Sequence, residues 1–172
     1  MRRLLLLRHA KSDWSVALPD NERQLNPRGR KAADRMGRYI QCEGLAPDKV
    51  LCSPAFRAAE TWRLVQPCLK SKPKVEHIEA LYDFGSGTAL LDIIRQSGGD
   101  AQTLMLVGHN PSVEGLANLL VGTGDPAALA GLQRKYPTAA LAVIDFEIVA
   151  WHEIAPSTGT LTSFIRPKKL ED

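Results

Sequence analysis

Three short stretches place cationic or imidazole side chains just past an apolar run. Residues 4–7 are four leucines, followed at once by Arg8 and His9. The run 50–52 ends at Ser53 and Pro54, and Arg57 comes three residues after that proline. The run 104–107 ends at Gly108, His109, Asn110 and Pro111. Arginine forks bind phosphate oxygens in pairs, and free N–H groups at helix starts add positive potential. Arg8, Arg57 and His109 together would roughly neutralise a dianionic phosphoryl group. The same charges disfavour a protonated His9, and a neutral imidazole has a lone pair that can attack phosphorus. The expected chemistry is transfer of a phosphoryl group to His9 and its release by water. Arg8, Arg57 and His109 would hold the charge of the moving group.

That chemistry needs three distant stretches to meet, so the elements carrying them matter. Residues 3–8 show no alternation and read as a strand buried on both faces, as in a parallel sheet. Residues 11–24 are polar and aperiodic, a loop leaving the strand end. Asn26 and Pro27 start the first helix with a cap and a proline at its first position. Ser53–Pro54 and Asn110–Pro111 repeat that device before two further helices, and Arg57 falls in the first turn of the first of these. Strands are expected at 49–52, 74–78 (near an edge), 103–107, 140–146 and 160–166. The last two form an antiparallel hairpin. Residues 122–137 read as irregular, with a helical turn around 127–132, and 168–172 as a frayed charged tail. The order β-α-β-α-β-α-β-α-β-β predicts an α/β fold. It is a three-layer αβα sandwich, mostly parallel, with one antiparallel strand. If the first, second and fourth strands are neighbours, the three stretches share one sheet end, where such folds bind ligands.

Composition narrows the alternatives. A chain of 172 residues is expected to form a single domain spanning 1–172. A net charge of +3, scattered along the chain, gives no case for a nucleic-acid partner. The leucine run is too short for a signal-peptide core, and no stretch reaches membrane-spanning length, so no membrane partner is expected. Cys42, Cys52 and Cys68 are odd in number and form no CxxC pair, which predicts reduced thiols in a cytoplasmic protein. No histidine–carboxylate cluster suits a metal, and neither metal nor cofactor is expected.

Taken together, Leu7–Arg8–His9–Ala10, Ser53–Pro54 with Arg57, Ala58 and Thr61, and Gly108–His109–Asn110–Pro111 resemble the histidine phosphatase superfamily, also called phosphoglycerate mutase-like. Leu25–Asn26–Pro27–Arg28–Gly29, Leu81–Tyr82–Asp83 and Phe164–Ile165–Arg166–Pro167 are similar to its small SixA-type branch of phosphohistidine phosphatases. The resemblance spans nearly the whole chain. It implies that His9 is the phosphoryl acceptor and that Arg8, Arg57 and His109 form the phosphate pocket. One departure is Ala10, where the family's best-known motif has glycine; alanine is small, and little effect on the pocket is expected.

Long members of that superfamily protonate the leaving group with a glutamate two residues after a leucine. Here the pattern falls on Asp83, an aspartate of shorter reach. Asp13, close after His9, is a second candidate, and each carboxylate also has an ordinary reading as a turn or loop residue. An imidazole leaving group needs less protonation than an alkoxide, because its conjugate acid has a pKa of about 6.5. An imperfect acid therefore favours phosphohistidine on a partner protein, such as a histidine phosphotransfer domain. Two alternatives stay open: a small-molecule phosphomonoesterase or mutase on the same scaffold, and a non-catalytic phosphohistidine-binding module.

Overall fold

Four consecutive leucines without exposed surface fix the layering. In the computed structural model, which describes residues 1–170, they form most of β1 (Arg2–Arg8). Leu4 and Leu6 pack to one side of the sheet, and Leu5 and Leu7 to the other. Each fully buried leucine contributes about 1.5–3 kcal/mol relative to exposure, so neither face of this strand can be left to solvent.

Twelve elements follow the alternation read from the sequence, with two additions. After β1 come α1 (Pro27–Cys42), β2 (Lys49–Cys52), α2 (Phe56–Val65), β3 (Lys74–His77), α3 (Thr88–Ser97), β4 (Thr103–Gly108) and α4 (Ser112–Leu120). Then come β5 (Val121–Gly124), α5 (Pro126–Arg134), β6 (Leu141–Phe146) and β7 (Gly159–Ile165). The sheet order is β3-β2-β4-β1-β6-β7-β5. Among the described residues only β6 runs against its neighbours, pairing antiparallel with both β1 and β7. Met36 and Ile40 of α1 and Trp62 and Val65 of α2 pack on the face carrying Leu5 and Leu7. Leu90 and Ile94 of α3 and Val113 and Leu116 of α4 pack on the opposite face. The architecture is the expected three-layer αβα sandwich.

The register does the positioning. Arg8 lies opposite Gly108 where β1 pairs with β4, and Cys52 lies opposite Val107 where β2 pairs with β4. The backbone N–H of His9 donates to the Gly108 carbonyl at 3.0 Å, and that of Ser53 donates to the Val107 carbonyl at 3.0 Å. His9 and His109 therefore leave the sheet end level with each other, and Ser53 leaves it one residue lower, level with Arg8 and Gly108.

Four readings need correction. The stretch 122–137 is not mainly irregular: it opens in edge strand β5 and continues as a full helix, α5. The Asp125 carboxylate caps that helix by accepting from the Ala128 N–H at 3.0 Å, with Pro126 next. The cap-then-proline device holds as expected only at Asn26, which accepts from the Gly29 N–H at 2.8 Å. Helix α2 starts two residues beyond Pro54, and the Ser53 hydroxyl meets His109 Nε2 at 2.8 Å and accepts from the Ala55 N–H at 3.3 Å instead of capping the helix. Helix α4 starts after Pro111, with Asn110 Oδ1 accepting from the Glu114 N–H at 3.1 Å. Of the expected frayed tail, Pro167–Lys169 form a 3-10 turn and Leu170 packs on the core; 171–172 lie outside the described residues.

Gly29 is where α1 meets the exit of β1. A Cβ there would lie 2.1 Å from the Lys11 carbonyl oxygen and 2.9 Å from the Lys11 nitrogen, both backbone atoms. Gly29→Ala is expected to destabilise the fold by about 1–3 kcal/mol through this overpacking. The check is a lower urea midpoint with an unchanged m-value.

Candidate active site

The end of β1 delivers His9 with a defined tautomer. Its Nδ1 lies 2.7 Å from the Ala10 carbonyl, which can only accept, so Nδ1 carries the proton. Nε2 is unprotonated, and its lone pair accepts from the Nε–H of Arg57 at 3.4 Å. Ala10 is held in turn, its N–H donating to Thr61 Oγ1 at 2.9 Å, and its methyl is buried against Leu25, Ala33 and Ala139. The extra methyl thus packs inward. Burial pushes the His9 pKa down to about 3, opposed by the Ala10 bond and reinforced by His109, Arg57 and Arg8.

The end of β4 delivers His109, whose ring centroid lies 5.2 Å from that of His9. Its Nε2 is 2.8 Å from Ser53 Oγ, at the end of β2. Burial first, then the Arg57 charge, lowers its pKa to about 4; Asp20 opposes this. His109 is fully buried behind Tyr82 and Phe84, whose ring centroids lie 5.3 and 5.1 Å away. It therefore sits beneath the open cleft rather than on its wall.

Two guanidinium groups complete the cluster. Arg57, in the first turn of α2, is only 2% exposed. Its Nη1 donates to the Asp20 carbonyl at 2.6 Å and its Nη2 to Asp20 Oδ2 at 3.0 Å. Arg8 donates through Nη1 to the Tyr136 carbonyl at 2.9 Å. Among the described residues, the buried side-chain nitrogen and oxygen atoms left without a hydrogen bond are Arg8 Nε and His109 Nδ1. Buried polar atoms are rarely left unpaired, and both of these belong to residues singled out from the sequence.

Arg8, His9 and Arg57 open onto a cleft of about 370 Å³. Lys11, Trp14, Arg23, Phe84 and Lys135 also border it, as does one carboxylate, Asp20. Asp20 accepts from Arg23 Nη2 at 2.7 Å and from the Tyr82 hydroxyl, besides its contacts with Arg57. Partial burial pushes its pKa up, but the bonds from Tyr82, Arg23 and Arg57 outweigh this and hold it well below the usual carboxylate range. Asp20 is therefore ionised at neutral pH.

The two acid candidates lie elsewhere. Asp83 turns its carboxylate onto the Gly85 N–H at 3.2 Å, and its carbonyl accepts from Ser112 Oγ at 2.7 Å. Asp13 accepts from Ser15 N–H at 2.8 Å and Ser15 Oγ at 2.6 Å, and these bonds lower its pKa. Neither borders the cleft. Each carboxylate is hydrogen-bonded within its own turn.

Sequence reasoning missed Asp20, Arg23 and Tyr136. Arg23 is buried, donates to Ser12 Oγ, and lies with Cζ 3.7 Å from the Trp14 ring centroid. Its spacing of three from Asp20 was the available signal. Tyr136 donates its hydroxyl to the Leu6 carbonyl, pinning the segment that borders the cleft beyond α5.

The family model for the histidine phosphatase superfamily (branch 1) matches residues 4–89. The chain belongs to the histidine phosphatase superfamily. The matched segment contains His9 and Arg57, and His109 lies beyond it. An uncharacterized protein of Mycobacterium tuberculosis is 34% identical over 166 residues, covering 94% of this chain and all of that one. A structure from Agrobacterium tumefaciens, assigned as the phosphohistidine phosphatase SixA, has a TM-score of 0.78 at 29% identity, covering 96% of this chain and 98% of that one. Another SixA so assigned, from Nakamurella multipartitia, gives 0.81 at 28% identity and covers 96% of each chain. These likenesses put this histidine phosphatase in the SixA-type branch. No helix among the described residues is long and apolar enough to cross a membrane, and no three metal-ligating side chains are grouped to hold an ion.

Both imidazoles have folded-state pKa values below the unfolded value of about 6.5. Below that pH the unfolded chain binds protons that the folded chain does not. Stability is therefore full above about pH 7 and falls as the pH drops toward 4. The steepest loss is about 1.4 kcal/mol per pH unit for each imidazole. Urea midpoints measured from pH 4.5 to 7 should show this slope, and His109→Asn should roughly halve it.

Proposed function

We propose that this chain is a phosphohistidine phosphatase that works through a covalent phosphohistidine at His9 and takes its phosphoryl group from a histidine on another protein. The observation that carries the reading is the state of His9: Nδ1–H is tied to the Ala10 carbonyl, and the unprotonated Nε2 faces a buried guanidinium 3.4 Å away. A pKa near 3 keeps that lone pair available throughout the neutral range.

In the first step Nε2 forms a bond to phosphorus, and the bond from phosphorus to the leaving nitrogen breaks. The leaving imidazole takes the electron pair and a proton from solvent. In the second step a water oxygen attacks phosphorus, the bond to Nε2 breaks, and the pair returns to the ring. The proton lost by water passes to solvent. While phosphorus is bound, the His9 ring holds substituents on both nitrogens and is formally cationic, a charge the Ala10 carbonyl stabilises. Arg8 and Arg57, which border the cleft, hold the phosphoryl oxygens, and His109 lies beneath them with its Nδ1 unpaired, which is electrostatic positioning rather than covalent work.

Two features favour a protein-borne phosphohistidine. The carboxylate at the cleft, Asp20, is ionised and cannot protonate an alkoxide, whereas an imidazole leaving group needs little protonation. Two apolar side chains that border the cleft are also exposed, Trp14 at 76% and Phe84 at 46%, and Val16 and Leu18 are exposed on the loop between Trp14 and Asp20. Exposed apolar groups beside a cleft suit a contact surface, and a histidine phosphotransfer domain fits it. The cleft volume would also admit a small phosphate ester, the competing reading.

His9→Ala is expected to abolish turnover, and Arg8→Ala or Arg57→Ala to cost about 10³-fold, several kcal/mol of transition-state stabilisation. Acid quenching during turnover should trap an acid-labile phosphoryl group on wild type and none on His9→Ala. Arginines supply the positive charge, so excess EDTA should leave the rate unchanged.

A substrate panel tests the leaving group. A phosphorylated histidine phosphotransfer domain should be hydrolysed at least 100-fold more efficiently, by kcat/KM, than a sugar phosphate. Val16→Ser with Leu18→Ser should lower the rate on that domain while leaving p-nitrophenyl phosphate hydrolysis within about twofold. Efficient sugar-phosphate hydrolysis, with the phosphodomain ignored, would refute the substrate assignment.

A further inference from the structure

Arg57 is almost completely buried, yet the anion it holds is not. The Asp20 side chain is 46% exposed and covers Arg57 from outside, accepting through both its carboxylate and its backbone carbonyl. Three donors converge on this one carboxylate: Arg57 and Tyr82 on Oδ2, and Arg23 on Oδ1. The two guanidinium donors, Arg57 and Arg23, border the cleft into which His9 opens. A guanidinium fork accepts a carboxylate and a phosphoryl group with the same geometry. The donors that hold Asp20 are therefore the donors a phosphoryl group beside His9 would need.

We propose that Asp20 is a tethered competitor for the phosphate site: its carboxylate must leave Arg57 for the phosphoryl group to bind, and its return displaces the product phosphate. The inference rests on the reading of Arg57 as a phosphoryl ligand.

The segment carrying Asp20 is built to hinge. Its base is closed by the bridge between Ser12 and Leu25 and by the Asp13 N–H donating to the Gln24 carbonyl at 2.7 Å. The Leu25 N–H is anchored further by buried Glu60, at 2.8 Å. Between those anchors, residues 14–22 are exposed. Asp20 opens the 3-10 turn Asp20–Glu22 at the tip, where no side chain caps the turn. The carboxylate can swing into solvent without disturbing the core.

The exchange has a direction at each stage. An incoming phosphoryl dianion brings one more charge and more acceptor oxygens than the carboxylate, so substrate displaces Asp20. Transfer to His9 then makes the phosphoryl group part of the chain, and a tethered anion does not dislodge it. Hydrolysis cuts that tether. Free phosphate leaves, and Asp20, at the high effective concentration of an intramolecular ligand, retakes Arg57.

An internal competitor lowers apparent affinity by the fraction of molecules in which the site is open. Removing its charge must therefore tighten phosphate binding, whereas a carboxylate that merely props up the two arginines would, when lost, weaken it. Inorganic phosphate affinity is measured by calorimetry on wild type, Asp20→Asn, Asp20→Ala, Arg57→Ala and the Asp20→Asn/Arg57→Ala double variant. Both Asp20 variants are expected to bind phosphate about tenfold more tightly or better, with no tightening when Arg57 is absent. Unchanged or weaker binding in the near-isosteric Asp20→Asn, while Arg57→Ala still weakens phosphate, overturns the competitor and leaves the site reading intact. If Arg57→Ala binds phosphate as wild type does, Arg57 is not the ligand, and both inferences fall.

Discussion

The parallel ladder joining β2, β4 and β1 sets every other distance in the site. Because Arg8 is level with Gly108, and Cys52 with Val107, His9 and His109 emerge at one height, with Ser53 one residue below them. A slip of one residue in either pairing would exchange the side chains that the two helix layers meet and draw Arg3 or Arg8 into a place now held by a leucine. The hydrophobic core therefore enforces the register that brings the imidazoles of His9 and His109 to 5.2 Å. Packing and site geometry are two consequences of the same constraint.

That convergence has an electrostatic cost. Two guanidinium groups and two imidazoles share a sheet end at which three of them are buried and Arg8 is partly so. The chain meets the cost by keeping both imidazoles neutral and by setting one carboxylate, Asp20, against Arg57 and Arg23. Hydrogen bonds divide the remaining work. The Ala10 carbonyl fixes which nitrogen of His9 is free, Ser53 orients His109, and the Tyr136 carbonyl holds Arg8. These are fixed backbone or short-side-chain partners, so the groups they hold need little reorganisation during a reaction.

The residues at the strand ends were legible because continuous apolar runs mark doubly buried strands, and a charge that stops such a run marks its end. Arg8, His9, Arg57 and His109 could be placed that way, as could the mostly parallel sheet with its reversed strand. Edge strand β5 was not legible: Val121–Gly124 contains two glycines and pairs on one side only. Helix α5 carried the same cap-and-proline signal as α1, at Asp125 and Pro126, inside a stretch read as irregular apart from a helical turn around 127–132. Asp20 and Arg23 were hidden for a different reason. Their positions depend on a loop folding back from a bridge between Ser12 and Leu25, and aperiodic polar sequence has no pattern that encodes such a return. Asp83 matched a family pattern, but its side chain is committed to its own turn, a local competition that spacing does not resolve.

The environment that empties His9 Nε2 of a proton also acts on the ring once it has captured a phosphoryl group. A phosphoryl group on Nε2, with Nδ1 still protonated, makes the ring cationic; burial works against that charge, while the arginines attract the phosphoryl oxygens attached to it. Expelling the ring from phosphorus restores the neutral imidazole that the buried site favours, so the ring of the proposed intermediate is a good leaving group. A mutase must shelter such an intermediate from water until a second acceptor arrives. Here the cleft is bordered by exposed loop residues and by a half-exposed carboxylate paired with Arg57. In the proposed cycle a good leaving group, access for water and an internal rival for the product's binding site would each favour hydrolysis. The depressed basicity of one imidazole thus links the nucleophile's readiness to the fate of its adduct.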